Sequence, residues 1–183
     1  MSILTYNELV RLVEDGHIEN VDPEQINGAS IDLTLGDEFW REGVPCDFNE
    51  HVVDLKAKDT PGMVFQKSDT ISLVPGEFCL AATREVFHLP DDIAAHYMLK
   101  SSLARAGMGH LFAGFADPTW SGSVLTLEFK NELLHHSLKL TAGMKCGQMV
   151  FFRGSSPVPS QHSYAARGQY NNDKKAQPSK GVR

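Results

Sequence analysis

At 183 residues, with 42% hydrophobic and 22% charged side chains, the chain has room for one ordinary domain with a real core and is short for two. No apolar run approaches the roughly 20 residues that cross a bilayer, and MSILTYNELVRLVEDG lacks the basic start, apolar stretch and cleavage site of a secretory leader. The expectation is a cytoplasmic protein without membrane contact, and its net charge of −6 opposes general nucleic-acid binding while leaving room for an anionic small ligand in a local cationic pocket.

From the N-terminus, Thr5 followed by Glu8 fits a capping box, and Leu9, Val10, Leu12 and Val13 give one apolar face before Gly16. Residues 5 to 15 are predicted to form a short helix. The chain then switches to short apolar or alternating segments, SIDLTLG, HVVDL, TISLV, EFCLAATRE, HYML, GSVLTLEF, SLKL and QMVFF, separated by the turn chemistry of PGE, LPDD, DPTWSG and TAGM. Many short strands at this spacing predict a mainly β sandwich, jelly roll or barrel. The exception is Ser101 to Ala106, where Ser, Leu, Ala and Arg permit a short helix capped by Ser101. From Gly154 onward the chain is polar and poor in aliphatics, so it supplies little core. It reads as a mobile tail, 155–183, following a single domain over 1–154, with Tyr164 and Tyr170 as its docking residues. Cys46, Cys79 and Cys146 lie far apart with no CxxC, which favours reduced, mostly buried thiols over a disulfide framework.

Two stretches carry candidate chemistry. In KSSLAR, a helix starting at Ser101 directs unpaired first-turn N–H groups outward, and Lys100, Ser101, Ser102 and Arg105 strengthen an anion site there. An ordinary capped helix with two solvated cations explains the same residues. Downstream, GFADPTWSG reads as a turn delivering Asp117 and Trp120 to the strand SVLTLEFKN. Strict alternation puts Val124, Thr126 and Glu128 on one face of that strand and Leu125, Leu127 and Phe129 on the other.

With these in view, the run 95–131 resembles the deoxycytidine triphosphate (dCTP) deaminase family, itself related to the trimeric deoxyuridine triphosphatases (dUTPases). The likeness extends through INGASIDLTLG and PGEFCLAATREVFHLPDD upstream, and through AGMKCGQMVFF and YAARGQYNNDKKAQPS downstream. KSSLAR, the ADPTWSG turn and the TLEF that follows are its most specific elements. The resemblance implies a distorted, jelly-roll-like β-barrel with a few short helices, assembled as a homotrimer whose active sites are shared between neighbours. It implies that Glu128 shuttles protons and turns a water into the nucleophile at cytosine C4, with Ser101 and Arg105 holding that water. Lys100, Ser102, Leu103 and Ala104 match the nucleotide-binding segment, Asp117 the acceptor for the deoxyribose 3′-hydroxyl, and Thr126 and Leu127 the strand facing the base. Gln148, Tyr164, Gln169, Tyr170 and Lys174 match further nucleotide contacts. The tail departs from the family where Gln169 replaces a lysine and Asp173 a glutamine.

Deamination by zinc needs H-x-E paired with P-C-x-x-C, which this sequence lacks, so His110, His135 and His136 read as surface or satisfied histidines rather than ligands. The cofactor implied is Mg2+, carried in with the triphosphate. The partners expected are dCTP as substrate and dTTP as a candidate inhibitor. The product is dUTP, or dUMP and pyrophosphate in a bifunctional member, toward which AGFAD leans. A plain dUTPase and a noncatalytic trimeric nucleotide-binding module are the alternatives; the first has no need of the TLEF glutamate, and fold alone never excludes the second.

Overall fold

The computed structural model describes residues 2–44 and 52–181. Strand β1 (Ser2–Ile3) leads into helix α1 (Tyr6–Glu14), which starts as its sequence dictates: the Thr5 N–H donates to Glu8 Oε2 at 3.0 Å, and Leu9 and Leu12 are buried. Strands β2 (Ile18–Glu19), β3 (Ile31–Glu42), β4 (Met63–Lys67), β5 (Thr70–Leu73), β6 (Phe78–His88) and β7 (Ile93–Leu99) follow. After the short helix α2 (Ser101–Arg105) come β8 (Met108–His110), β9 (Phe115–Ala116), β10 (Ser121–Asn131), β11 (Leu138–Thr141) and β12 (Lys145–Arg153), and then the one-turn helix α3 (Tyr164–Arg167). Among the described residues no helix is long and apolar enough to cross a membrane.

Among the described residues, ten strands form one antiparallel sheet in the order β8-β10-β6-β3-β12-β7-β9, with β1, β2 and β4 added alongside, while β5 and β11 make a separate ribbon. The hydrogen-bonded path ends at β8 and β9 without joining them, so the expected barrel is realised as a curled half-barrel. Alternation explains the curl's filling. Ile31, Leu33 and Leu35 of β3, Leu125, Leu127 and Phe129 of β10, and Met149 and Phe151 of β12 share one core, and Val124 sits on the opposite side of β10 with Ala82, Val86 and Ala176.

Three expectations need correction. Val52 to Leu55 of HVVDL form no strand, because the Asp54 carboxylate accepts the N–H groups of Lys56 and Ala57 at 2.9 and 3.2 Å and turns the chain; His51 lies outside the described residues. Strand β4 was not expected, since MVFQK shows no period of two, and it exists by pairing with the far half of β3. Helix α2 is capped by Lys100 rather than Ser101: the Lys100 carbonyl accepts from the N–H groups of Leu103 and Ala104 at 2.9 and 3.1 Å, so Ser101 is already helical. Cys79 and Cys146 are free and buried as expected, and Cys46 lies outside the described residues.

The tail, expected to be mobile, is docked here along β10. Trp120 Nε1 donates to the Tyr170 carbonyl at 2.8 Å, the Val124 N–H to that of Asp173 at 3.0 Å, and Trp40 Nε1 to that of Ala176 at 2.9 Å. Gly122 permits this approach, having φ +70° and no Cβ, which would lie 2.4 Å from Asn172 Oδ1.

Candidate active site

Between β10, the turn before it and the docked tail lies a cavity of about 430 Å³, whose lining includes Asp117, Trp120, Thr126, Glu128, Tyr164 and Tyr170. Each arrives there for a local reason. Glu128 faces the cavity because its neighbours Leu127 and Phe129 are fully buried in the core on the other side of β10. Asp117 stands at the start of a tight turn in which the Trp120 N–H donates to its carbonyl at 3.2 Å and Thr119 adopts φ +70°. Trp120 anchors that turn by stacking on Phe87, centroids 5.3 Å apart. Tyr164 begins α3, where the Ser163 hydroxyl accepts from the Ala166 N–H at 3.3 Å, and its own hydroxyl accepts from the Tyr170 N–H at 3.3 Å. Gly168 completes this turn, since a Cβ there would lie 2.1 Å from the Tyr164 ring. Thr126 Oγ1 accepts from the Gln177 N–H at 3.1 Å and so ties the tail to the cavity floor.

The Glu128 carboxyl is pushed above its ordinary range by burial, against a partial offset from its own main chain. Facing it at 3.2 Å is His110 Nε2, and among the described residues neither atom has a hydrogen-bond partner. The imidazole is 6% exposed, packed between the rings of Tyr97 at 4.6 Å and Phe129 at 5.9 Å. Burial lowers its pKa to about 4, and the Phe112 N–H donating to Nδ1 at 3.3 Å also favours the neutral ring with its proton on Nε2. His110 is thus neither a surface nor a satisfied histidine. Sequence reasoning missed it, although Met108 and His110 alternate on β8 and Met108 is buried. Tail residues Asp173 and Gln177 also line the cavity and went unpredicted as contacts.

KSSLAR lies outside this cavity. Leu103 packs against the core, whereas Ser101, Ser102, Ala104 and Arg105 are exposed, and no ion pair links Arg105 to Glu128 among the described residues. Lys100 is engaged elsewhere: its Nζ donates to Asp32 Oδ1 at 2.7 Å, and Lys145 Nζ lies 3.0 Å from the other carboxylate oxygen. Burial alone would raise the Asp32 carboxyl, but hydrogen bonds from Lys100, Lys145 and Asn27 outweigh it and hold the group below its usual range. Gln148 pairs with Asp32 in the β12–β3 register, on that same side of the molecule and away from the cavity. Leu127 is in the core, Gln169 offers its carbonyl to Lys180, and Lys174 is exposed. His135 and His136 are exposed as expected, and no three His, Cys, Asp or Glu side chains cluster as a metal site among the described residues.

Residues 3–154 match the family model described as dCTP deaminase-like. A protein of Nocardioides named dCTP deaminase, dUMP-forming, is 41% identical over 173 residues, covering 90% of this chain and 85% of its own. One of the same name from Clavibacter michiganensis is 40% identical over 162 residues, covering 83% and 77%. The crystal structure of 2′-deoxycytidine 5′-triphosphate deaminase from Agrobacterium tumefaciens superposes with a TM-score of 0.65 at 19% identity, over 87% of this chain and 50% of that one, a likeness of fold.

Proposed function

The chain belongs to the dCTP deaminase-like family, and from that premise we propose that it hydrolyses the C4 amine of dCTP and carries the product on to dUMP and pyrophosphate. The observation that carries this reading is Glu128, a carboxyl of raised affinity for protons, facing a cavity of nucleoside size together with Asp117 and two tyrosines. Of the two products open from sequence, the relatives named dUMP-forming favour dUMP.

In the first step a water yields its proton to ionised Glu128 as its oxygen bonds to C4. Glu128 passes that proton to N3 and then relays the second proton of the oxygen to the amine, whereupon the C–N bond breaks, ammonia leaves and the C4 carbonyl forms. A carboxyl whose pKa is lifted toward neutrality serves both directions. The His110 ring packs 3.2 Å from Glu128 Oε2 without a hydrogen bond and fills that flank. In this reading Asp117 accepts the ribose 3′-hydroxyl, and Tyr164 and Tyr170 flank the nucleotide as the tail closes over it; all three line the cavity. In the second step water cleaves between the α and β phosphorus atoms, since dUMP keeps one phosphate. Magnesium would enter with the triphosphate as part of the substrate and offset its charge there.

We place Ser101 and Arg105 in the site of a neighbouring subunit within a homotrimer. Their exposure outside their own chain's cavity supports this, as do Leu111, Phe112 and Phe115, which are 54%, 91% and 60% exposed around the Glu128 side. The test is incubation with dCTP, resolving dUTP, dUMP, ammonia and pyrophosphate. Wild type should release ammonia with dUMP and pyrophosphate, with or without a zinc chelator provided excess magnesium is kept, and Glu128→Gln should lose ammonia release by about a thousandfold or more while still binding nucleotide. Near-normal turnover by Glu128→Gln sinks the mechanism, and dUTP accumulating as the end product sinks the second step.

A further inference from the structure

Lys180 closes loop 169–180 of the docked tail on itself. Lys180 Nζ donates to both carboxylate oxygens of Asp173, at 2.8 and 3.1 Å, and to the Gln169 carbonyl at 2.9 Å, and it lies 4.8 Å from the centre of the Tyr170 ring. The Lys180 main-chain N–H adds a bond to Tyr170 Oη at 3.1 Å. The loop clasped in this way, 169–180, brings Tyr170, Asp173 and Gln177 to the cavity wall. Its base is fixed to β10 and the turn before it, where Trp120 Nε1 and Ser123 Oγ donate to the Tyr170 carbonyl and the Val124 N–H to that of Asp173. The other tail lysines do nothing comparable: Lys175 reaches away to Glu38 at 3.3 Å and the Phe65 ring, and Lys174 is exposed.

An isolated surface ion pair contributes little. Lys180 differs in that its ammonium meets a bidentate carboxylate, a carbonyl and an aromatic face at once, and Asp173 is only 18% exposed. Asp173 also poses a problem for the proposed substrate, because a bare carboxylate on the wall of a cavity receiving a triphosphate repels it. We propose that Lys180 is a positioning residue for the reaction: it buckles loop 169–180 into the closed form that sets Tyr170 against a bound nucleoside triphosphate, and it cancels the charge of Asp173 facing that anion. This rests on the cavity being the dCTP site.

The experiment compares full-length wild type with Lys180→Ala, Lys180→Arg, Asp173→Asn and the Lys180→Ala/Asp173→Asn pair, by steady-state kinetics with dCTP at two ionic strengths and by limited proteolysis without ligand. Lys180→Ala should raise KM about tenfold or more with a smaller change in kcat, and should speed cleavage within 169–180. Adding Asp173→Asn should recover part of the lost KM, by removing the unpaired carboxylate, and Lys180→Arg should stay within about twofold of wild type. Unchanged KM and cleavage in Lys180→Ala overturn the proposal, and a KM defect that Asp173→Asn leaves intact overturns its electrostatic half. If wild type itself turns over no dCTP, the functional reading has failed, and cleavage alone decides the clasp: equal rates in wild type and Lys180→Ala refute it.

Discussion

The facing of Glu128 and His110, two groups that burial moves in opposite directions, has consequences in pH. A carboxyl held above its ordinary 4.5 is ionised only at correspondingly higher pH, so the acid limb of kcat/KM should lie above that value. Replacing His110 by alanine admits water beside the carboxyl, and the limb should fall back toward 4.5 while turnover drops about tenfold. An unmoved limb in a pH–rate profile of His110→Ala would show that the ring does not govern Glu128. The folded imidazole stays unprotonated down to about 4, whereas an unfolded one takes up its proton near 6.5. Its contribution to stability is therefore full above 6.5 and lost as pH falls toward 4. Glu128 runs the other way, since its raised folded value favours the protonated form and costs stability as pH rises through it. Urea titrations across this window should show a shallower acid decline for His110→Ala than for wild type.

Among the elements, the strands that follow period two were legible in sequence, and so was the side of β10 that carries Glu128, because alternation is a local property. Helix α1 was legible because its capping box is local too. What escaped was set by partners distant in sequence. The burial of His110 follows from β8 lying against β10, with His110 opposite Phe129, and β4 exists only against β3. The partners of the tail were hidden for the same reason. Its polar composition hides that Trp40 and Trp120 await its carbonyls and that Ala176 is fully buried. Deletion after Gly154 should still leave a folded body, since Trp40 and Trp120 then bond to water. Each exchanged hydrogen bond costs about 1 kcal/mol, so Tm should fall by less than about 10 °C. Over the same change KM should rise strongly. Loss of the cooperative melt in calorimetry would mean that the tail is part of the core.

For the whole molecule the decisive question is where KSSLAR acts, since one chain holds Glu128 inside its cavity and Arg105 outside it. If sites are shared around a ring of three, Glu128→Gln and Arg105→Ala damage different halves of each site. Subunits co-expressed and mixed at random should then recover about a quarter of wild-type activity, although each variant alone is nearly dead. Recovery indistinguishable from zero would place both residues in one subunit's site. The pairing of Ser2–Ile3 with Phe152–Arg153 has a consequence in time. A chain made from its N-terminus cannot complete this sheet until residue 153 has been added, because β12 is the strand that β1, β3 and β7 all pair with. Through most of synthesis these apolar strands stand with open edges, exposed to capture by other nascent chains, and the wall that the tail gives the cavity is translated later still.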